Sequence, residues 1–159
     1  MSEMIKISEA ASIALHACAW LALQGEYRGR SAEICRELGF SAAHFVKVMQ
    51  ALSRAGLVES RRGPAGGSRL TRTPDGISLL EIYEAIEGPL CTERCLLPAE
   101  RCRSRACVLG AELRHHHRAL RAMMASTRLD TLAASLAPVG DAQTGGAVRP
   151  SRKPGDGCA

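Results

Sequence analysis

The sequence predicts a mainly α-helical protein with one small β-hairpin and a long helix near its C-terminal end. Three observations carry that prediction. Aromatic residues are only 3% of the 159 (two Phe, two Tyr, one Trp), so a core must be assembled from Leu, Ile, Val, Ala and Met, a set that favours helices over a β-sandwich. Apolar residues recur at three- and four-residue spacing in several separate stretches. One stretch, 57–72, reads instead as two short extended runs around a glycine-rich turn. The length suits one compact domain with a short appendage.

The elements follow in order. Ser8 is a cap for a helix over 8–24, with Ile13, Ala17, Trp20 and Leu21 at helical spacing and Gly25 as its stop. Ser31 caps a short helix from Ala32 to Leu38, and Gly39 ends it. Ser41 caps a third, with Phe45, Val48, Met49 and Leu52 on its apolar face and Gly56 behind it. Two helices joined by a tight glycine-containing turn are the helix-turn-helix pattern. Leu57-Val58-Glu59-Ser60 and Arg69-Leu70-Thr71-Arg72 then flank the basic turn Arg61-Arg62-Gly63-Pro64-Ala65-Gly66-Gly67-Ser68. A β-hairpin placed directly after a helix-turn-helix is a wing. Its glycines permit positive φ and close backbone approach, and its arginines suit phosphate contact or minor-groove insertion. Thr73-Pro74-Asp75-Gly76 is a turn. Ser78 and Glu81 form a capping box for a helix to Glu87, with Leu79, Ile82, Tyr83 and Ile86 inward, and Gly88-Pro89 stops it. Residues 1–88 thus read as a winged helix-turn-helix domain.

Residues 89–107 form a cysteine-rich loop. A long helix follows over 108–128, where Leu109, Leu113, His116, Leu120, Met123 and Thr127 mark a heptad seam. A single seam of that length predicts packing on a second copy, so 108–136 is assigned to dimerisation. Residues 137–159 hold five Gly and three Pro with no Leu, Ile or Phe, and are expected to be disordered.

The net charge is +5, but its distribution says more. Residues 28–72 carry nine Lys/Arg against three acids, whereas 1–27 and 73–90 together carry one base and seven acids. Positive charge is therefore concentrated on the helix-turn-helix and wing, which points to double-stranded DNA. On the third helix, Ser41, Ala42, Ala43, His44, Lys47 and Gln50 avoid the apolar face. Ser41 and the first-turn amides suit a phosphate, while His44, Lys47 and Gln50 reach towards bases or phosphates. The wing adds Arg61, Arg62, Gly63, Gly66 and Gly67.

Four of seven cysteines, Cys91, Cys95, Cys102 and Cys107, fall within 17 residues. Thiolates are soft ligands, suited to an iron–sulfur cluster or to zinc. Cys18 and Cys35 fall within helices and read as small core residues, and Cys158 as incidental. His115, His116 and His117 point about 100° apart on a helix and do not share one ion easily; His116 reads as a polar seam residue and the other two as solvated. The longest apolar run, Ile13 to Leu23, is 11 residues against the ~20 that a membrane helix needs, and no leader pattern opens the chain, so a cytoplasmic location is expected. No nucleotide loop, catalytic triad or paired-carboxylate constellation is present, which argues against an enzyme such as an iron–sulfur oxidoreductase.

The string from Met49 to Gly67, with its Arg-Gly-Pro-x-Gly-Gly wing followed by a cysteine loop, closely resembles the IscR/NsrR-type (BadM-type) bacterial transcription regulators, and the resemblance runs from about Ile5 to Leu132. It implies a homodimeric regulator of a palindromic operator, with repressor the commoner role. In it Arg62 matches the wing arginine that enters the minor groove. It also implies an iron–sulfur cluster, 2Fe–2S ahead of 4Fe–4S, on three loop cysteines and one non-cysteine ligand from the first helix of the partner protomer. Cys95, Cys102 and Cys107 match those cysteines, and His16 matches a first-helix ligand. All four loop cysteines, or Cys91 and Cys107 with His16 and one further group, are alternative ligand sets. Zinc binding or thiol oxidation without a cluster is the alternative chemistry. Ser12 stands where the family often has a carboxylate, and Ser68 where it has an aromatic.

Overall fold

The structure is a computed structural model and describes residues 7–24, 30–61, 66–91 and 107–136. The chain forms α1 (Glu9–Leu23), α2 (Ser31–Leu38), α3 (Ala42–Arg54), the strands β1 (Val58–Arg61) and β2 (Gly67–Leu70), a one-turn 3-10 helix (Pro74–Gly76), α4 (Leu79–Glu87), α5 (Val108–Ser126) and α6 (Leu129–Leu136). The mainly helical, winged architecture is as the sequence predicts.

Helix α1 runs through the centre of the domain. Ala11, Ile13, Ala14, Ala17, Cys18, Ala19, Trp20 and Leu21 are all buried, so it is enclosed on most of its circumference. It packs against α2, α3, α4, α6 and β2. Its alanines allow the neighbours to come close, and larger side chains from those neighbours fill the space: Ile34, Phe45, Leu52, Ile77, Ile82 and Leu129 are fully buried. Each such side chain contributes roughly 1.5–3 kcal/mol of burial.

The ends of α1 and α4 follow the predicted caps, but α2 begins one residue earlier than predicted: Arg30 is its N-cap and Ser31 its first helical residue, with the Glu33 carboxylate accepting from the Arg30 amide at 3.3 Å. The Ser8 hydroxyl accepts from the Ala11 amide at 3.1 Å. Gly39 adopts φ +71° and closes α2 in the left-handed conformation that a non-glycine residue resists. Gly56, also at φ +71°, turns the chain from α3 into β1. The hairpin is antiparallel, with Val58 opposite Leu70, Glu59 opposite Arg69, Ser60 opposite Ser68 and Arg61 opposite Gly67. Ser68 is buried, and its hydroxyl bonds that of Ser60 at 2.8 Å, so a hydrogen bond packs the wing where an aromatic was absent.

The C-terminal region differs from the expectation of one helix over 108–128. Helix α5 ends at Ser126, and α6 begins at Leu129 after a break. The Thr127 carbonyl accepts from Leu79 N at 3.1 Å, and Leu129 N donates to the Ile77 carbonyl at 2.9 Å, pinning the break to the start of α4. Helix α6 then buries Leu129 and Ala133 and packs against α1. The segment 108–136 is therefore two helices, the second belonging to the domain core. Residues 137–159 and most of the cysteine loop lie outside the described residues.

The seam predicted to meet a second copy is only partly clear of the domain, and the stripe that meets the domain lies beside it. Gly110, His117 and Met124 are buried, with Leu120 packed against the core. Leu109 is 56% exposed, Met123 is 47% exposed and His116 is exposed, so this edge of the predicted seam is left outward. His117, read from sequence as solvated, is instead buried, and neither ring nitrogen has a hydrogen-bond partner among the described residues. The heptad pattern did not separate two adjacent stripes of one helix, each of which carries apolar residues.

The predicted capping box is formed. Glu81 accepts from the Ser78 amide at 2.8 Å, and Arg72 bonds its other oxygen at 2.7 Å. Burial pushes the Glu81 carboxyl up, but the Ser78 amide, the Arg72 guanidinium and the Ser78 hydroxyl outweigh it and hold Glu81 below the ordinary carboxylate value. A depressed native value stabilises the fold above the unfolded-state value, and that stability is lost as the pH falls through the native one. Glu81→Gln keeps an acceptor for the Ser78 amide but loses the charge toward Arg72, and should therefore cost about 0.5 kcal/mol at neutral pH, the scale of an exposed ion pair. The gap to wild type should close on acidification below the ordinary carboxylate range, as read by urea unfolding at several pH values.

Candidate functional site

Ser41 opens α3 in extended conformation at its N-cap position, though its hydroxyl makes no capping bond. Ser41, Ala42, Ala43, Lys47 and Gln50 are exposed, and His44 is partly so. The opposite face is held down by Phe45, Val48, Met49 and Leu52, so the outward set is a consequence of the helical period. His44 has a neighbour within the fold: its Nδ1 lies 3.5 Å from Oε2 of Glu9, in the first turn of α1.

A groove of about 780 Å³ separates α3 from the wing. Val46, Met49, Gln50 and Ser53 line it from α3, and Ser60, Arg61, Gly66, Gly67 and Ser68 from the hairpin, with Arg30 and Ser31 at the start of α2. The structure thus brings Gln50, Arg61, Gly66 and Gly67 to one concavity. Arg62 and Gly63 lie outside the described residues. Of the concentrated basic residues, Arg69 is paired with Glu59 and Arg72 with Glu81. Lys47 and Arg61 have no ion pair among the described residues. The charge offered outward is therefore narrower than the sequence count suggests.

Sequence reasoning missed Val46, Arg30, Ser31, Ser53 and the Glu9 contact. Val46 is 46% exposed, and a helical wheel places it beside Gln50, four residues on, although a valine on a helix usually marks the core. No local pattern links Glu9 to His44, since the pair is made by tertiary packing.

Among the candidate metal ligands, His16 is partly buried on α1. Its Nδ1 lies 2.8 Å from the Ser12 carbonyl, which can only accept, so Nδ1 carries the proton and Nε2 keeps its lone pair. Phe40 meets the imidazole edge to face at 6.4 Å between ring centres, which further fixes the ring plane. Cys107 is the N-cap of α5, and its sulfur accepts from the Gly110 amide at 3.3 Å in place of the usual oxygen. Cys91 is exposed just beyond α4. Cys95 and Cys102 lie outside the described residues, and among the described residues no three His, Cys, Asp or Glu side chains converge on one point.

Cys18 and Cys35 are not part of this set. Cys18 is fully buried, and loss of solvation pushes its thiol up to about 12. Cys35 packs against the core, and burial pushes its thiol up as well.

Comparison with known proteins places these features. The model of the Rrf2 family, iron-dependent transcriptional regulators, matches residues 7–135. This chain belongs to the Rrf2 family. Protein aau3 of Rhizobium meliloti is 32% identical over 96 residues, 60% of this chain and 62% of that protein. The HTH-type transcriptional regulator IscR of Cereibacter sphaeroides is 41% identical over 56 residues, 35% of this chain and 36% of its own length. The solved structure of CymR, the global cysteine regulator of B. subtilis, superposes with a TM-score of 0.70 at 28% identity, covering 83% of this chain and 98% of that one. The chain spans between 53% and 66% of the length of three such curated relatives. Members of the Rrf2 family are transcription regulators. No helix among the described residues is long and apolar enough to cross a membrane.

The contrast among the thiols is testable. In the native protein Cys18 should resist iodoacetamide at mildly alkaline pH and react only after denaturant is added. Peptide mass spectrometry after each step checks this.

Proposed function

We propose that this chain is a DNA-binding repressor whose operator affinity is set by an iron–sulfur cluster on the loop cysteines, acting as a homodimer. The observation that supports the DNA reading best is the shared groove: Val46, Met49, Gln50 and Ser53 of α3 and the wing's Arg61, Gly66 and Gly67 line one concavity. Ser41, Ala43, His44 and Lys47 are on α3 and its N-cap outside that lining, and Lys47 and Arg61 are left without carboxylate partners among the described residues. Helix α3 would enter a major groove with its N-terminal residues Ser41, Ala43, His44 and Lys47 leading. Arg61, Arg62 and Gly63 of the wing would lie against the neighbouring backbone or minor groove. The outward Leu109–Met123 edge of α5 would meet the same edge of a second copy, which aligns two recognition helices on a palindromic site.

The donor set fits a cluster. Cys95, Cys102 and Cys107 would supply thiolates, and His16 would supply Nε2, the nitrogen that the Ser12 carbonyl leaves unprotonated. Cys91 would replace one of the loop thiolates in the alternative set. When bound, a cluster would supply a redox- and ligand-sensitive charge beside α1. Zinc on the same thiolates, or thiol oxidation alone, is the competing chemistry.

Anaerobic purification with iron, sulfide and zinc analysis tests the cluster. A broad visible absorption with matched iron and sulfide is expected, lost in Cys107→Ser and shifted in His16→Ala. Stoichiometric zinc without colour would establish the zinc reading, and a metal-free protein after reconstitution would leave a thiol sensor. For DNA, Arg62→Ala should weaken operator binding sharply while the dimer persists, and Arg61→Ala should lower the slope of log affinity against log salt by about 0.9 if Arg61 neutralises one phosphate. Wild-type affinity and slope in both variants would overturn the wing assignment.

A further inference from the structure

We propose that Glu9 is a positioning residue for the recognition helix. Its carboxylate holds the His44 imidazole with Nδ1 turned inward, so that Nε2 is the ring nitrogen offered to a base in the major groove. This rests on the DNA-binding reading above and deepens it.

Glu9 lies in the first turn of α1, where an acidic side chain is favoured by the helix dipole. Its Oε2 is 3.5 Å from His44 Nδ1. A carboxylate only accepts, so the pair is attractive when Nδ1 carries the proton. A free imidazole prefers its proton on Nε2, and a carboxylate beside Nδ1 favours the other tautomer. His44 is the third residue of α3, within the N-terminal stretch with which recognition helices reach base edges. The neighbouring outward positions are the short side chains of Ala42 and Ala43, so His44 is the first side chain of the helix long enough to reach a base.

The tautomer sets what His44 can read. With the proton on Nδ1, the neutral ring presents Nε2 as an acceptor. Among major-groove edges, acceptors pair with the exocyclic amino groups of adenine and cytosine and are mismatched with guanine O6 and N7. Glu9 thereby selects an amino-bearing base at the position that His44 faces, without touching the DNA itself. Glu9 also carries a negative charge close to the DNA-facing surface, so it would lower affinity in general if it had no positioning role.

The test uses the duplex that the full-length wild-type protein enriches from a randomised library, with a scrambled duplex as the reference. Fluorescence anisotropy measures the ratio of the two affinities for wild type, Glu9→Ala, Glu9→Gln, His44→Ala and the double variant Glu9→Ala/His44→Ala. Glu9→Ala should lower the ratio about fivefold, the scale of one base contact. Glu9→Gln should restore most of it, because its amide oxygen still accepts. His44→Ala should show the same loss, and the double variant no further loss. Nitrogen-15 NMR of the imidazole should show the His44 proton moving from Nδ1 to Nε2 in Glu9→Ala. An unchanged ratio in Glu9→Ala overturns the assignment. So does an equal loss when His44 is already Ala, or a uniform gain on both duplexes, which would mark simple phosphate repulsion. A wild-type protein that enriches no sequence overturns the DNA-binding reading itself, whereas enrichment with an indifferent Glu9→Ala overturns this inference alone.

Discussion

The enclosure of α1 is the constraint on which the other elements depend. A helix buried on most of its circumference has to be apolar nearly all round and thin enough for several neighbours to approach at once. Alanines at 11, 14, 17 and 19 meet the second condition, and Ile13, Trp20 and Leu21 supply volume where a neighbour leaves room. Helix α3, helix α4, helix α6 and strand β2 are then located relative to one rod. The wing and the recognition helix take their separation from it, because Val58 and the α3 residues Phe45 and Leu52 are buried in the same core.

That rod also relates the two candidate sites. Glu9, at the recognition helix, and His16, with its fixed tautomer, are seven residues apart on α1. Seven residues are close to two turns, so both side chains leave the same stripe about 10 Å apart.

The break between α5 and α6 has a comparable effect at the other end of the chain. Two backbone hydrogen bonds to Ile77 and Leu79 hold the break against α4, and α6 closes over α1. Helix α5 is left anchored by its Gly110–His117–Met124 stripe, with Leu109 and Met123 outward. The ion pairs act similarly on charge. Glu59 and Glu81 take up Arg69 and Arg72, so the surface presented beside the groove is defined as much by which arginines are neutralised as by how many there are.

The sequence by itself determined the ends of α1, α3 and α4, the helix-turn-helix, the hairpin and the capping box, because each depends on nearest neighbours along the chain: Ser8 and Ser78 as caps, Gly39 and Gly56 as left-handed stops, and a 3.6-residue period in α3. It also marked Ser41, Lys47, Gln50 and Arg61 as outward, since a residue off the apolar stripe of an amphipathic helix or at the rim of a hairpin has nowhere else to go. Tertiary structure alone decided the rest. Which stripe of α5 faces the domain, and hence the burial of His117, depended on where α4 lies. The place of α6 depended on hydrogen bonds to a turn some fifty residues earlier in the chain. The partner of His44 and the tautomer of His16 depended on packing and on a carbonyl that the period does not reveal. Local propensity and periodicity act over a few residues, whereas these contacts exist only once distant segments share a core.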